Sequence, residues 1–250
     1  MLTQSKGKIF LSEERGLTEI EWYRSYNTFN FGGYFNEHKV PFGALYVVNE
    51  DTLSGGRTLA MQVDEGSDIM LIPIVGAIAY KDSAGNSGLV EAGQVQLVRA
   101  PKGVTFELTN PFESELVKFL QVWCKNSDIK ASSNPLLYSF DLDGNKNRLV
   151  ELFTPSPAAL LNAFAPLHAS QNFAGLPVGL IGKFMGREEA VYQVMDSSKG
   201  IWAFVIEGVF EVQYRLLHPG DGLALWGVQE VELEALSNDA IIFLVEVPMA

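Results

Sequence analysis

Two short stretches hold the residues whose types and spacing bear on chemistry. In the first, Gly56, Gln62, Asp64, Asp68 and Gly76 follow one another with five, one, three and seven residues between them. In the second, Pro101, Gly103, Phe106 and Asn110 are separated by one, two and three residues. Residues at i and i+2 on a strand project from one face, which pairs Gln62 with Asp64 and Phe106 with Leu108. Iron, copper and zinc need lone pairs from imidazole, thiolate or carboxylate. Gln62 offers an amide oxygen and Asp64 a carboxylate, while Phe106 and Leu108 offer nothing. Asp68 joins their face only if the strand stays regular, and Glu107 alternates away from Phe106 and Leu108. Two oxygen donors from one strand suit at most a weak Mg²⁺ or Ca²⁺ site, and too few protein oxygens converge to make one the expectation.

The elements that must position these residues are short and β-rich. Ala44 to Val48 ends at Asn49-Glu50-Asp51, and the apolar run Met70 to Tyr80 ends at the turn Lys81 to Asn86. Leu89-Val90, Val95 to Val98 and Val104 to Leu108 follow at short intervals. Many short strands with glycine turns predict a sandwich or barrel, not a parallel α/β sheet. The polar stretch from Lys125 to Pro135 reads as a linker, and Ser156-Pro157 opens a candidate short helix over 155–164. The halves echo each other: Val75-Gly76-Ala77 precedes Ala92-Gly93-Gln94, and Glu207-Gly208-Val209 precedes Pro219-Gly220-Asp221. Each half shows an apolar strand, a glycine, a resumed strand and a second glycine turn.

Composition narrows the classes of function. A net charge of −12 over 250 residues argues against nucleic-acid binding by direct charge attraction and against an anionic membrane face. Residues Met1 to Arg15 lack a signal-peptide core, and no apolar run is long enough to span a bilayer, so a cytoplasmic location is expected. The single cysteine, Cys124, lies in an apolar strand and reads as a packing residue. His38, His168 and His218 are too scattered for a catalytic group, and Gly32-Gly33 reads as a turn. Asp82 and Asn86 read as caps of a turn, and Glu188, Glu189, Glu207, Glu211 and Asp221 as solvated faces. No catalytic residue is identified.

The spacing of the two stretches resembles the paired motifs of the cupin superfamily. Beginning at Arg15-Gly16, the chain is similar to the pirin family, a bicupin group that contains metal-dependent quercetin dioxygenases and nuclear cofactors. Trp22, Ser25, Thr28-Phe29-Asn30-Phe31, Tyr34, Phe42-Gly43, Asn49-Glu50-Asp51 and Leu120 to Trp123 carry that resemblance. Asp221 to Trp226 resembles the second cupin of bacterial members. The resemblance implies an all-β bicupin: two tandem antiparallel β-barrel or jelly-roll domains with short connecting helices. The expected division is 1–125, a linker at 126–140, and 141–250.

The resemblance also places the family's metal ligands, three histidines and a glutamate, on Gln62, Asp64, Phe106 and Leu108. Leu17, Ile20, Asn27 and Tyr80 stand where members commonly show histidine. The expectation is therefore a bicupin without the family's metal centre and without a cofactor. It would be a non-catalytic binding or regulatory protein for a small molecule or a protein partner, and those four positions would either line the ligand pocket or, through Phe106 and Leu108, plug it. The alternative is a quercetinase-like dioxygenase, or another cupin enzyme, with a non-standard metal site. If all four side chains point inward, Gln62→His, Asp64→His, Phe106→His and Leu108→Glu together should restore a metal site.

Overall fold

A computed structural model describes residues 4–129, 134–153 and 177–249. The chain divides into two compact units, one spanning Glu13–Leu137 and the other combining Tyr138–Met249 with the chain start through Ser12. Each unit is built from a large sheet and a four-stranded sheet, and all described strand pairings are antiparallel. Two tandem β domains are what the strand and glycine pattern predicts, and the cupin-type arrangement is what the resemblance implies.

In the unit Glu13–Leu137, seven strands run in the order Leu136–Ser139, Gln94–Ala100, Ser67–Val75, Val117–Lys125, Leu45–Leu53, Tyr23–Asn27 and Gly16–Ile20. The smaller sheet runs Thr58–Gln62, Thr105–Thr109, Ala77–Asp82 and Ser87–Glu91. Alternation gives each strand one apolar face. Val47, Ile69, Leu71, Val98 and Phe119 from the large sheet meet Ile78, Tyr80, Phe106 and Leu108 from the small one in a single core. In the second unit the six-stranded sheet has Gly7–Phe10 at one edge and Arg148–Phe153 at the other, and Gly179–Phe184, Gly200–Glu207, Gly222–Leu225 and Ala240–Val247 lie between them. Its interior is filled by apolar side chains such as Leu180, Phe184, Val205, Phe210, Leu233 and Ile242.

The echo between halves has a structural basis. Gly76, at φ 80°, joins a large-sheet strand to the small-sheet strand Ala77–Asp82, and Gly208, at φ 75°, does the same before Phe210–Val212. A Cβ at Gly76 would sit 2.7 Å from Val117 Cγ1, and one at Gly208 would sit 2.6 Å from Ala240 Cβ. Left-handed backbone and close packing thus both demand glycine at these corners.

Three expectations need correction. Residues 4–12 belong with the second unit, because Gly7–Phe10 pairs with Gly222–Leu225, so a first domain starting at residue 1 is not observed. The stretch 126–140 is not purely linker, since Leu136–Ser139 forms a sheet edge. Asp221 is buried at 2% exposure, not solvated. It accepts hydrogen bonds from the Ser12 amide (2.7 Å) and the His218 amide (2.8 Å), which ties the entering chain to a turn. The helix expected over 155–164 lies outside the described residues. Among those described, the one helical element is a 3₁₀ turn at Ser12–Glu14, and no helix is long and apolar enough to cross a membrane.

Candidate functional site

Strand pairing decides where the four expected site residues point. Phe106 lies opposite Met61 and Leu108 opposite Leu59, while Gln62 lies opposite Thr105. Directly paired residues share a face. Leu59 and Met61 therefore point inward with Phe106 and Leu108, and Gln62 points the other way. Phe106 is 1% exposed and Leu108 0%, whereas Gln62 and Asp64 are exposed. The expectation that all four converge is wrong for this backbone. The apolar set Leu59, Met61 and Val63 takes the inward positions and turns Gln62 and Asp64 outward, since a period of two allows only one set to face the core.

The inward position is plugged. The Phe106 ring lies 5.9 Å from Tyr80 and 5.4 Å from Trp123, and Trp123 meets Phe31 edge-on at 5.7 Å. Fully burying a side chain of this size stabilises the fold by about 1.5–3 kcal/mol. Within this cluster the Tyr80 hydroxyl is already engaged, donating to Asp82 at 2.6 Å. Asp68 is also held elsewhere: its carboxylate accepts from Arg99 Nε (3.1 Å) and Asn126 Nδ2 (2.7 Å). Among the described residues, no three His, Cys, Asp or Glu side chains gather closely enough to hold a metal ion. The donor set at these positions does not fit the iron, copper, nickel or zinc centre that the resemblance implies.

Beside the plug is an open cleft of about 550 Å³, and Gln62 and Asp64 line it while Phe106 and Leu108 do not. It lies between the edge strand Thr58–Gln62 and the edge of the large sheet at Gly16–Ile20 and Tyr23–Asn27. Phe31, Tyr46, Leu59, Met61 and Trp123 give it apolar walls. Tyr23, Ser25 and Asn27 contribute polar groups from one face of their strand. Of the four positions at which a ligand pocket was expected, this cleft is lined by Gln62 and Asp64 and not by Phe106 or Leu108.

Behind the cleft is a buried polar network. Asp51 is fully buried and accepts hydrogen bonds from the Tyr23 hydroxyl (3.0 Å) and from Gln121 Nε2. Trp123 Nε1 donates to Gln121 Oε1 at 3.2 Å, and Ser25 Oγ donates to Asn27 Oδ1 at 2.9 Å. Burial pushes the Asp51 carboxyl up to about 6, and hydrogen bonds from Gln121 and Tyr23 keep it from rising further. The same burial, with Asp51 beside it, pushes the Tyr23 phenol well above its ordinary value. Asn49, in register with Asn27 on one side and Gln121 on the other, is fully buried, and neither its Nδ2 nor its Oδ1 finds a partner among the described residues. An unmatched buried amide costs about 1–3 kcal/mol, so this face carries polar capacity that the fold itself does not use.

Asp51, Tyr23, Gln121 and Asn49 were not among the sequence candidates. Their signal was present: Asn49 and Asp51 stand at the inward parity of a strand whose other inward residues, Leu45, Val47 and Leu53, are apolar and buried. Polar residues at core positions are the informative exception. Other readings hold. Asp82 accepts from the amides of Ala84 and Asn86, both at 2.9 Å, as a turn cap does. Cys124 is buried, and burial pushes its thiol up to about 12, which suits a packing role. Leu17 and Ile20 are exposed, and His218 sits apart at the turn held by Asp221.

Comparison with known proteins finds matches along most of the chain. The Pirin model matches residues 11–124, and the model of the quercetinase C-terminal cupin domain matches residues 180–247. The quercetin 2,3-dioxygenase of Escherichia coli K12 is 24% identical over 237 residues, covering 95% of this chain and 96% of that protein. The crystal structure of YhhW from Escherichia coli aligns with a TM-score of 0.80 at 22% identity, over 98% of this chain and 99% of that one. A structure of bacterial pirin YhhW in complex with nickel(II) aligns with a TM-score of 0.79, also at 22% identity, over 98% and 100% of the two chains. At such identities the structural likeness speaks for the fold alone.

Proposed function

The chain belongs to the pirin family, and we propose that within it this protein is a bicupin without the N-terminal metal centre, acting as a binding or regulatory protein. One observation carries the reading. At the two positions where the family's ligands would enter from the strand Thr105–Thr109, Phe106 and Leu108 are packed into the core, and Gln62 and Asp64 face away from them. Phenyl and isobutyl groups have no lone pairs, and among the described residues the outward carboxylate and amide join no metal-holding group of His, Cys, Asp or Glu. What the unit offers instead is the cleft beside Tyr23 and Trp123, which suits a small ligand with an apolar body. A cytoplasmic location and a small-molecule or protein partner belong to the same proposal.

A second reading is a quercetinase-like dioxygenase with a non-standard metal site, favoured by the names of the curated relatives. Fold does not carry chemistry with it, so the residues decide between the two. Quercetin consumption is to be followed with protein preincubated with Fe²⁺, Ni²⁺, Cu²⁺ or Zn²⁺, against the same ions in buffer. The binding reading expects no turnover above the free ions. Protein-dependent turnover that saturates with one equivalent of any of these metals would establish the dioxygenase instead.

A further inference from the structure

Three hydroxyls that border the cleft, those of Tyr23, Ser25 and Tyr46, give their protons to groups within the protein. The Tyr23 hydroxyl proton is engaged by Asp51 (3.0 Å) and the Ser25 proton by Asn27 (2.9 Å). Tyr46 bonds Ser67 Oγ at 2.6 Å, and because Ser67 gives its own proton to the Glu65 carbonyl (2.7 Å), Tyr46 is the donor there. A hydroxyl has one proton and two lone pairs. With those protons committed inward, Tyr23, Ser25 and Tyr46 have lone pairs left to offer a guest, and they ask for a guest that donates.

Charge points the same way. Asp64 stands among the cleft-lining residues, Asp51 lies directly behind Tyr23, and no described lining residue is basic. Four aromatic residues, Tyr23, Phe31, Tyr46 and Trp123, border the same space. Aromatic rings with a nearby carboxylate favour an organic ammonium over a neutral or anionic group. An anion would lie near two carboxylates, and Lys125, 5.5 Å from the Tyr46 ring, is already paired with Glu65 at 2.7 Å.

We infer that the cleft of the N-terminal unit binds a small primary amine with an aromatic or aliphatic body, its ammonium donating to Tyr23 and Ser25 and its charge balanced by Asp64 and Asp51. The inference deepens the binding role proposed above and rests on it.

Three probes that share one body and differ in head group test it: 2-phenylethylammonium, 2-phenylethanol and 3-phenylpropanoate, titrated calorimetrically into the full chain at pH 7.5. The expected order is ammonium tightest, alcohol at least tenfold weaker, and carboxylate weaker still. Asp64→Asn, at an exposed position that leaves the core untouched, should weaken the ammonium severalfold and leave the alcohol unchanged. Tyr23→Phe should weaken both donors, ammonium and alcohol, by removing the oxygen that accepts from them. Equal or reversed affinities, no ammonium binding, or ammonium binding indifferent to both substitutions would each overturn the inference. The metal content of the same sample is a separate readout: a stoichiometric transition metal would contradict the metal-free role, while the order of the three probes alone decides the amine.

Discussion

Replacing Asp51 by Asn tests the buried network where its electrostatics are strongest. The carboxyl has no exposure, and burial raises it from 3.8 to about 6 despite hydrogen bonds from Tyr23 and Gln121. A carboxyl raised in the folded state binds its proton more tightly there than in the unfolded chain. Its contribution to stability is therefore fully present below 3.8 and is lost as pH rises through about 6. At roughly 1.4 kcal/mol per pH unit, that difference corresponds to about 3 kcal/mol. Asn has nearly the same shape and no charge, so the substitution removes the slope. Other carboxyls stay in both proteins and cancel in the comparison. These include Asp68, raised by burial, and Asp82, where hydrogen bonds from Tyr80 and Asn86 outweigh burial. The assay is urea unfolding followed by tryptophan fluorescence at pH 4, 5, 6, 7 and 8. The stability of Asp51→Asn relative to the parent should climb by about 2.5 kcal/mol across that range, part of the full difference being already lost at pH 4, with most of the change complete by pH 6. A difference that stays level, or falls as pH rises, would refute the argument that Asp51 is held as a desolvated carboxylate.

Further outcomes follow from the packing and register. Phe106→Ala should cost about 3–5 kcal/mol, the range for emptying a buried aromatic site, measured by the same urea titration. The set Gln62→His, Asp64→His, Phe106→His and Leu108→Glu should gain no Zn²⁺ site, because two of its members face outward. Leu59→His, Met61→His and Phe106→His together place three imidazoles on the inward face, and calorimetry should find one Zn²⁺ per chain, with a higher melting temperature in its presence. The reverse pattern would mean that the pairing of Phe106 with Met61 is wrong. Cys124 should resist Ellman's reagent in native buffer at pH 8 and react fully in 6 M guanidinium, since its thiol is buried and its ionisation pushed up to about 12.

The two-unit β architecture was legible because its signals are local: strand alternation, and glycines at corners such as Gly76 and Gly208 where left-handed backbone is required. The pairing of Gly7–Phe10 with Gly222–Leu225 was not, because nothing in a four-residue strand names a partner more than 200 residues away. The candidate site shows a subtler failure. In the run Leu59 to Asp64, the apolar residues Leu59, Met61 and Val63 alternate with Ala60, Gln62 and Asp64, and that pattern by itself turns Gln62 and Asp64 outward. The family resemblance assigned the opposite parity, and the hydrophobic pattern prevailed in the fold. Asp51 and Asn49 lay in a strand recognised for its apolar residues, so their significance emerged only from what surrounds them: buried on one sheet face, beside Gln121 and next to an open cleft.

The central claim is that the N-terminal unit has no transition-metal centre, and elemental analysis of the purified full chain tests it most directly. Protein expressed with iron, nickel, copper and zinc supplemented, then freed of loosely held ions by gel filtration without chelator, should contain each of these metals at well below one atom per chain. One atom per chain of any of them, lost on mutating residues of the strands Thr58–Gln62 or Thr105–Thr109 and retained on mutating His218, would contradict the account.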